Sequence, residues 1–256
     1  MRTATGGRVS RITRSDETPM APRKPASAKP PPSTELRIIG GHFRGSKLRY
    51  HGDPQTRPMK DRVREAIFNL ITTDARGCHA IDLFAGTGAL GLEAISRGAV
   101  SATFIEKHVP TARIVAENIG ALALEERTAL LTTSAFLWAK RDLPSADLGL
   151  RIEELSAHDK AANRDPQSEI PWLVFCSPPY AFYVDRQKEM LELVSSLKQY
   201  APPASILIVE ADERFDFELF PGGVRKEKRG PGWDVRTYSP AVVGVWRTSL
   251  SSGPVI

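Results

Sequence analysis

Two short runs carry residue types and spacings from which chemistry can be built. In the first, Asp82-Leu83-Phe84-Ala85-Gly86-Thr87-Gly88-Ala89-Leu90-Gly91, three glycines fall between an apolar run and a helical pattern and match G-x-G-x-x-G. Such a loop admits a nucleotide-like ligand. Glu106 lies 20 residues past Gly86, where a carboxylate accepts hydrogen bonds from ribose hydroxyls. The charge of Asp82 then discriminates among ligands: a carboxylate here repels the pyrophosphate of NAD and attracts the ammonium and sulfonium of S-adenosylmethionine. The competing reading is that Asp82 only caps the loop by accepting from backbone N–H groups.

The second run, Ser177-Pro178-Pro179-Tyr180, follows the apolar stretch Trp172-Leu173-Val174-Phe175-Cys176. Two prolines cannot continue a strand, and they stiffen the backbone at a strand's C-terminal end, where α/β proteins place their active sites. A polar side chain, a fixed carbonyl and an aromatic ring are the parts that grip a flat base by its amino group. Taken alone, Pro-Pro before an aromatic residue is an ordinary rigid turn; its order after the glycine loop favours catalysis.

The elements that must position these runs alternate from residue 79 onward. An apolar run at 80–84, a helix at 88–97, a run at 101–105 and a helix at 109–122 predict an α/β fold, a parallel sheet with helices on both faces. Further strands are expected at 128–132, 171–176 and 204–210, then an antiparallel ending through 223–229 and 233–247. The polar stretch 142–169 reads as an insertion. Upstream, residues 1–34 are Pro-rich and basic and are expected to be a disordered tail. Residues 36–48 read as a hairpin with one basic face, and Thr56-Arg57-Pro58 opens a helix through residue 72. The expected organisation is thus a tail at 1–34, a hairpin-and-helix extension at 35–76 and a larger domain at 77–256.

Composition narrows the classes. With 41% hydrophobic and 25% charged residues the chain is globular, and no stretch approaches the roughly 18 apolar residues of a membrane span. A cytoplasmic protein is expected. Cys78 and Cys176 form no C-x-x-C pair and read as buried, reduced thiols, while the histidines at 42, 51, 79, 108 and 158 show no ligand spacing, so no metal is expected. The net charge of +5 is uneven. Residues 1–64 hold fifteen Lys and Arg against five Asp and Glu, a net of +10, which leaves −5 on the rest. A basic arm of this kind suits a polyanion.

These residues resemble the class I S-adenosylmethionine-dependent amino-methyltransferases, and among them the bacterial RsmD family of 16S rRNA (guanine-N2) methyltransferases. The specific marks are Leu36-Arg37-Ile38-Ile39-Gly40-Gly41-His42-Phe43-Arg44-Gly45, Thr56-Arg57-Pro58 with Asp61-Arg62-Val63-Arg64-Glu65-Ala66-Ile67-Phe68-Asn69, and Asp82 through Ala94. The resemblance implies a doubly wound, mostly parallel, seven-stranded Rossmann-like sheet. It implies S-adenosyl-L-methionine held by Asp82, Phe84, Ala85, Gly86, Thr87, Gly88 and Glu106, with Ser134 and Ala135 beside the adenine. Ser177, Pro178, Pro179 and Tyr180 would hold the target amine. Small-subunit rRNA, free or in a ribosomal particle, would meet Arg37, Arg44, Lys47, Arg57, Lys60, Arg62 and Arg64, and the enzyme is expected to be a monomer.

The chain departs from the family at Ser177 and Ser134, where Asp or Asn is usual, and at Met59 and Lys60. A neutral acceptor in place of a charged one weakens a hydrogen bond by about 1 kcal/mol, which slows a step several-fold without abolishing it. Three alternatives stay open at this point: a methyltransferase for another amine such as adenine N6, a non-catalytic RNA-binding protein, and a nicotinamide-dependent oxidoreductase.

Overall fold

Uninterrupted apolar runs make strands that can be buried on both faces, and that is how this chain uses them. A computed structural model describes residues 36–50, 59, 61–145, 170–227 and 230–248. The predicted tail at 1–34, the helix start at Thr56-Arg57-Pro58, Lys60 and the part of the insertion from 146 to 169 lie outside the described residues.

A small antiparallel pair comes first, β1 (Leu36–Arg37) with β2 (Lys47–Leu48), Leu36 opposite Leu48. Helix α1 (Asp61–Ile71) follows. The alternating part comprises β3 (His79–Asp82), α2 (Ala89–Ser96), β4 (Ser101–Ile105), α3 (Val109–Ala121), β5 (Thr128–Leu131) and α4 (Ala135–Arg141). It continues through β6 (Trp172–Cys176), α5 (Phe182–Asp185), α6 (Gln187–Tyr200), β7 (Ile206–Asp212), β8 (Asp234–Tyr238) and β9 (Ala241–Arg247). The seven-stranded sheet has the order β5-β4-β3-β6-β7-β9-β8. Strands β3 to β7 run parallel, and β9 is antiparallel to both its neighbours.

The ending differs in detail from the expectation. No strand forms at 223–227: Gly222 and Gly223 take positive φ values of 96° and 56°, and Val224 makes only an isolated bridge to Trp233. The run 233–247 divides at Ser239-Pro240 into the β8–β9 hairpin.

Side chains alternate across the sheet into two cores. Ala80, Phe104, Leu173, Phe175, Ile208 and Val243 pack with α1, α2 and α3, whereas Ile81, Ile105, Val174, Leu207, Val209 and Val242 pack with α4 and α6. One polar cluster is built into the sheet itself. The His79 ring bonds Ser101 Oγ at 2.8 Å and Thr103 Oγ1 at 3.0 Å, and burial pushes its imidazole down to about 4, so it is neutral.

The hairpin sits on the C-terminal half of α2. Fully buried Glu93 accepts hydrogen bonds from Ile39 N (2.7 Å) and Gly40 N (2.8 Å), and Arg97 Nε reaches it at 2.8 Å. Ser96 O accepts from His42 N at 2.7 Å. Gly41 is required there: a Cβ would lie 1.9 Å from Ser96 O. Beyond β2, Asn118 of α3 accepts from Arg49 N at 2.6 Å and donates from Nδ2 to Arg49 O (3.2 Å) and to Thr87 O (2.9 Å) in the glycine loop.

Arg64 corrects one expectation. Rather than facing a polyanion, its side chain is fully buried, donates to Arg37 O and to Asp61 Oδ1 at 3.0 Å, and lies 3.9 Å from Glu93. The helical period explains this: Arg64 shares the apolar face with Val63, Ile67 and Phe68, so the charge joins α1 to the hairpin and to α2.

Candidate active site

The strand order reverses at β3 and β6, because β4 and β5 extend to one side and β7 to the other. A parallel sheet leaves a crevice at such a point, outside the C-terminal strand ends. Asp82 lies opposite Phe175 in the register, and Leu83 N donates to Phe175 O at 3.0 Å, so the glycine loop and the proline run leave the sheet at the same level.

The loop after β3 is short and fully specified. Gly88 N donates to Ala85 O at 2.7 Å, and Gly88 caps α2 with φ 78°, a left-handed conformation that glycine adopts without strain. At Gly91 a Cβ would come within 2.4 Å of the Phe104 ring, so α2 packs against β4 only without one. Ala85, Thr87 and Gly88 are buried; Phe84 and Gly86 are half-buried. Glu106 braces the loop, accepting from Gly86 N (2.9 Å) at one carboxylate oxygen and from His108 N (2.8 Å) at the other.

Asp82 caps the loop, as the competing reading has it, and keeps its other carboxylate oxygen unpartnered. Its Oδ2 caps the loop by accepting from Gly91 N at 3.2 Å, while its buried Oδ1 takes no hydrogen bond. Burial, assisted by the nearby Glu106 charge, pushes this carboxyl up to about 7 despite the opposing Gly91 hydrogen bond. A buried carboxylate oxygen without a partner is a group that a cationic donor would satisfy.

After β5, Ser134 stands at the N-terminal boundary of α4 in an extended conformation, with no hydrogen bond from its side chain to the helix end, and Ala135 is buried at the first helical position. The next residue, Phe136, meets Phe84 at 5.9 Å and Phe182 at 6.0 Å between ring centroids. Arg186 lies 4.0 Å over the Phe136 ring. Rings that follow three different strands therefore meet in one cluster beside the glycine loop.

The run after β6 leads directly into Phe182 of that cluster. Pro178 is buried, Pro179 is exposed, and Phe182 N donates to Pro179 O at 2.9 Å to begin α5. Ser177 and Tyr180 are half-buried and converge on Glu210 of β7: Ser177 Oγ donates to Oε2, Tyr180 OH donates to Oε1 at 2.7 Å, and Tyr183 OH donates to Glu210 O at 2.9 Å. The sequence reading missed Glu210. Its signal was present, since an acid ends the apolar run Ile206-Leu207-Ile208-Val209 just as Asp82 ends Ala80-Ile81. Cys176, directly before Ser177, is a buried free thiol whose pKa burial pushes far above its ordinary range.

Of the basic residues singled out, Arg37, Arg44, Lys47 and Arg62 are exposed on the hairpin and α1, and Arg57 and Lys60 lie outside the described residues. Among the described residues no group of three or more His, Cys, Asp or Glu is arranged to hold a metal ion, and no helix is long and apolar enough to cross a membrane.

A sheet of this order, with its two loops at the switch point, is the Rossmann-like α/β architecture of class I methyltransferases. The chain belongs to the RsmD family: residues 36–230 match the family profile described as Conserved hypothetical protein 95. Ribosomal RNA small subunit methyltransferase D of Escherichia coli K12 is 44% identical over 90 residues, 35% of this chain and 46% of that protein, so the match spans about half the length of this relative. An uncharacterized methylase of Rickettsia prowazekii is 29% identical over 214 residues, 72% of this chain and 88% of that one. Among solved structures, the Escherichia coli protein yhhF superposes with a TM-score of 0.57 at 23% identity, covering 84% of this chain and 98% of that one. The Thermus thermophilus 16S rRNA N2 G1207 methyltransferase, in complex with AdoMet and guanosine, superposes at 0.54 with 16% identity, covering 84% and 49%.

Proposed function

We propose that this chain transfers a methyl group from S-adenosylmethionine to the exocyclic N2 amine of a guanine in small-subunit rRNA, acting in the cytoplasm on free RNA or a ribosomal particle. The observation that carries the reading is the meeting of the two loops: a glycine loop with an acid beneath it and a Ser-Pro-Pro-Tyr turn leave adjacent strands in register.

The residues present fit the methyl donor. The unpartnered Asp82 Oδ1 matches an ammonium and would be left facing like charge by a pyrophosphate. Ala85 to Gly88 and Phe84 would surround the methionine portion, Glu106 would take the ribose, and Ser134 with Ala135 would border the adenine. When bound, S-adenosylmethionine supplies an electrophilic methyl group.

The remaining work falls to the chain's own groups. A guanine amine is a poor nucleophile because its lone pair is conjugated with the ring. Accepting its two N–H bonds at the Pro178 carbonyl and the Ser177 side chain would hold it with the lone pair aimed along the transfer axis, so that orientation and electrostatics supply the acceleration. Tyr180 would stack on the base. Arg37, Arg44, Lys47 and Arg62 would meet RNA phosphates, which contribute affinity and position and leave base choice to the pocket. The hairpin-and-helix segment is therefore the docking extension and residues 77–256 the catalytic domain.

The test is transfer of labelled methyl from S-adenosylmethionine to small-subunit RNA and particles, with nucleosides separated after digestion. N2-methylguanosine is the expected product. N6-methyladenosine would reassign the base, and absence of transfer by a protein that binds RNA and not the methyl donor would replace the enzyme with a binding protein.

A further inference from the structure

Glu210 is 7% exposed at the C-terminal end of β7, one strand away from the proline run, and both of its carboxylate oxygens face that run. Ser177 Oγ donates to one oxygen and Tyr180 OH to the other, at 2.7 Å. The residue is also fixed at its backbone, where Glu210 O accepts from Tyr183 OH at 2.9 Å. A serine hydroxyl has one proton and two lone pairs. With the proton held by a carboxylate, both lone pairs turn outward and the oxygen becomes the stronger acceptor.

We infer that Glu210 is a positioning residue for methyl transfer: acting through Ser177 Oγ, it fixes that oxygen as an acceptor for the target amine and receives the proton the amine releases. The inference rests on the amine-methyltransferase reading above. As the amine lone pair forms the bond to the methyl carbon, the methyl–sulfur bond breaks and its electron pair stays on sulfur, which becomes a neutral thioether. The alkylated nitrogen gives one proton to Ser177 Oγ, the Ser177 proton passes to Glu210 Oε2, and the carboxylic acid so formed returns its proton to solvent. Tyr180, held at the other oxygen, keeps its ring in place throughout.

The test compares wild type with Glu210→Gln, Ser177→Asp and the double variant on the same RNA. An amide at 210 can no longer accept from both hydroxyls, so E210Q is expected to lose roughly 100- to 10,000-fold in kcat. Its KM for RNA, its binding of S-adenosylmethionine by calorimetry and its melting temperature should stay near wild type, so that the loss falls on kcat alone. Ser177→Asp alone sets two carboxylates side by side, where one must hold a proton, and should not exceed wild type. Adding E210Q removes the clash and returns a carboxylate to the amine, so the double variant should recover at least about tenfold over E210Q.

An E210Q variant with wild-type kcat overturns the inference, as does loss of kcat that tracks loss of fold and is not recovered in the double variant. Either result leaves the proposed function standing. A wild-type protein that methylates no amine overturns both.

Discussion

Arg64 of α1 and Glu93 of α2 lie 3.9 Å apart with neither side chain exposed to solvent. Around them Glu93 gathers Arg97 and the amides of Ile39 and Gly40, so one buried carboxylate joins the hairpin to both helices. Removing it strands a buried guanidinium. Glu93→Ala is expected to lower unfolding stability by about 3–5 kcal/mol, seen as a reduced urea midpoint at unchanged m value; a midpoint within error of wild type would contradict it.

Asp82 sets a pH dependence. Its folded value near 7 lies above the ordinary 3.8, so between about pH 4 and pH 7 the folded chain holds a proton that the unfolded chain has released, and stability declines as pH rises through that window. The limiting slope is about 1.4 kcal/mol per pH unit. Asp82→Asn should flatten it, and urea midpoints from pH 4.5 to 8 that fall in parallel in both proteins would refute the assignment. Affinity of wild type for S-adenosylmethionine should rise over the same interval, as the carboxylate ionises opposite a cation.

Tyr180→Ala removes the proposed stacking surface and one of the Glu210 hydrogen bonds. Stacking on an aromatic side chain contributes roughly 1–3 kcal/mol per base, so kcat/KM for RNA should fall about 5- to 150-fold with methyl-donor binding retained. Steady-state kinetics with calorimetry separates the two, and unchanged kcat/KM would remove Tyr180 from the site.

Arg44 and Arg62 are exposed where Arg64 is buried, so the three should behave differently. Arg44→Ala with Arg62→Ala should weaken RNA binding across sequences and reduce the slope of log K against log salt by roughly 0.7–0.9 per lost phosphate contact, without a change in melting temperature. Arg64→Ala should do the reverse, lowering stability. Filter binding at several salt concentrations beside thermal melts checks both halves.

The sheet was legible because its strands are nearly continuous apolar runs and its helices keep their period: β4 falls at Ser101–Ile105, as the sequence predicts, and α3 ends one residue early. The ending was less so: the run 223–229 has Val224 as its one apolar residue among Arg, Lys and Glu, and Gly222 and Gly223 turn the backbone at its start. Both loops of the site were readable as motifs. What the sequence could not show is which charges meet. Arg64 looked like its neighbour Arg62 until the helical face was fixed, and Glu210 stands 33 residues from Ser177, a pairing that only the β6–β7 register creates.

The small amide of Asn118 grips Arg49 on one side and the Thr87 carbonyl on the other. Replacing Asn118 would therefore remove a bond to the chain leaving the hairpin and, at once, a bond to the turn proposed to cradle the methyl donor. One amide thus serves two segments that lie far apart in the sequence, the stretch after β2 and the glycine loop.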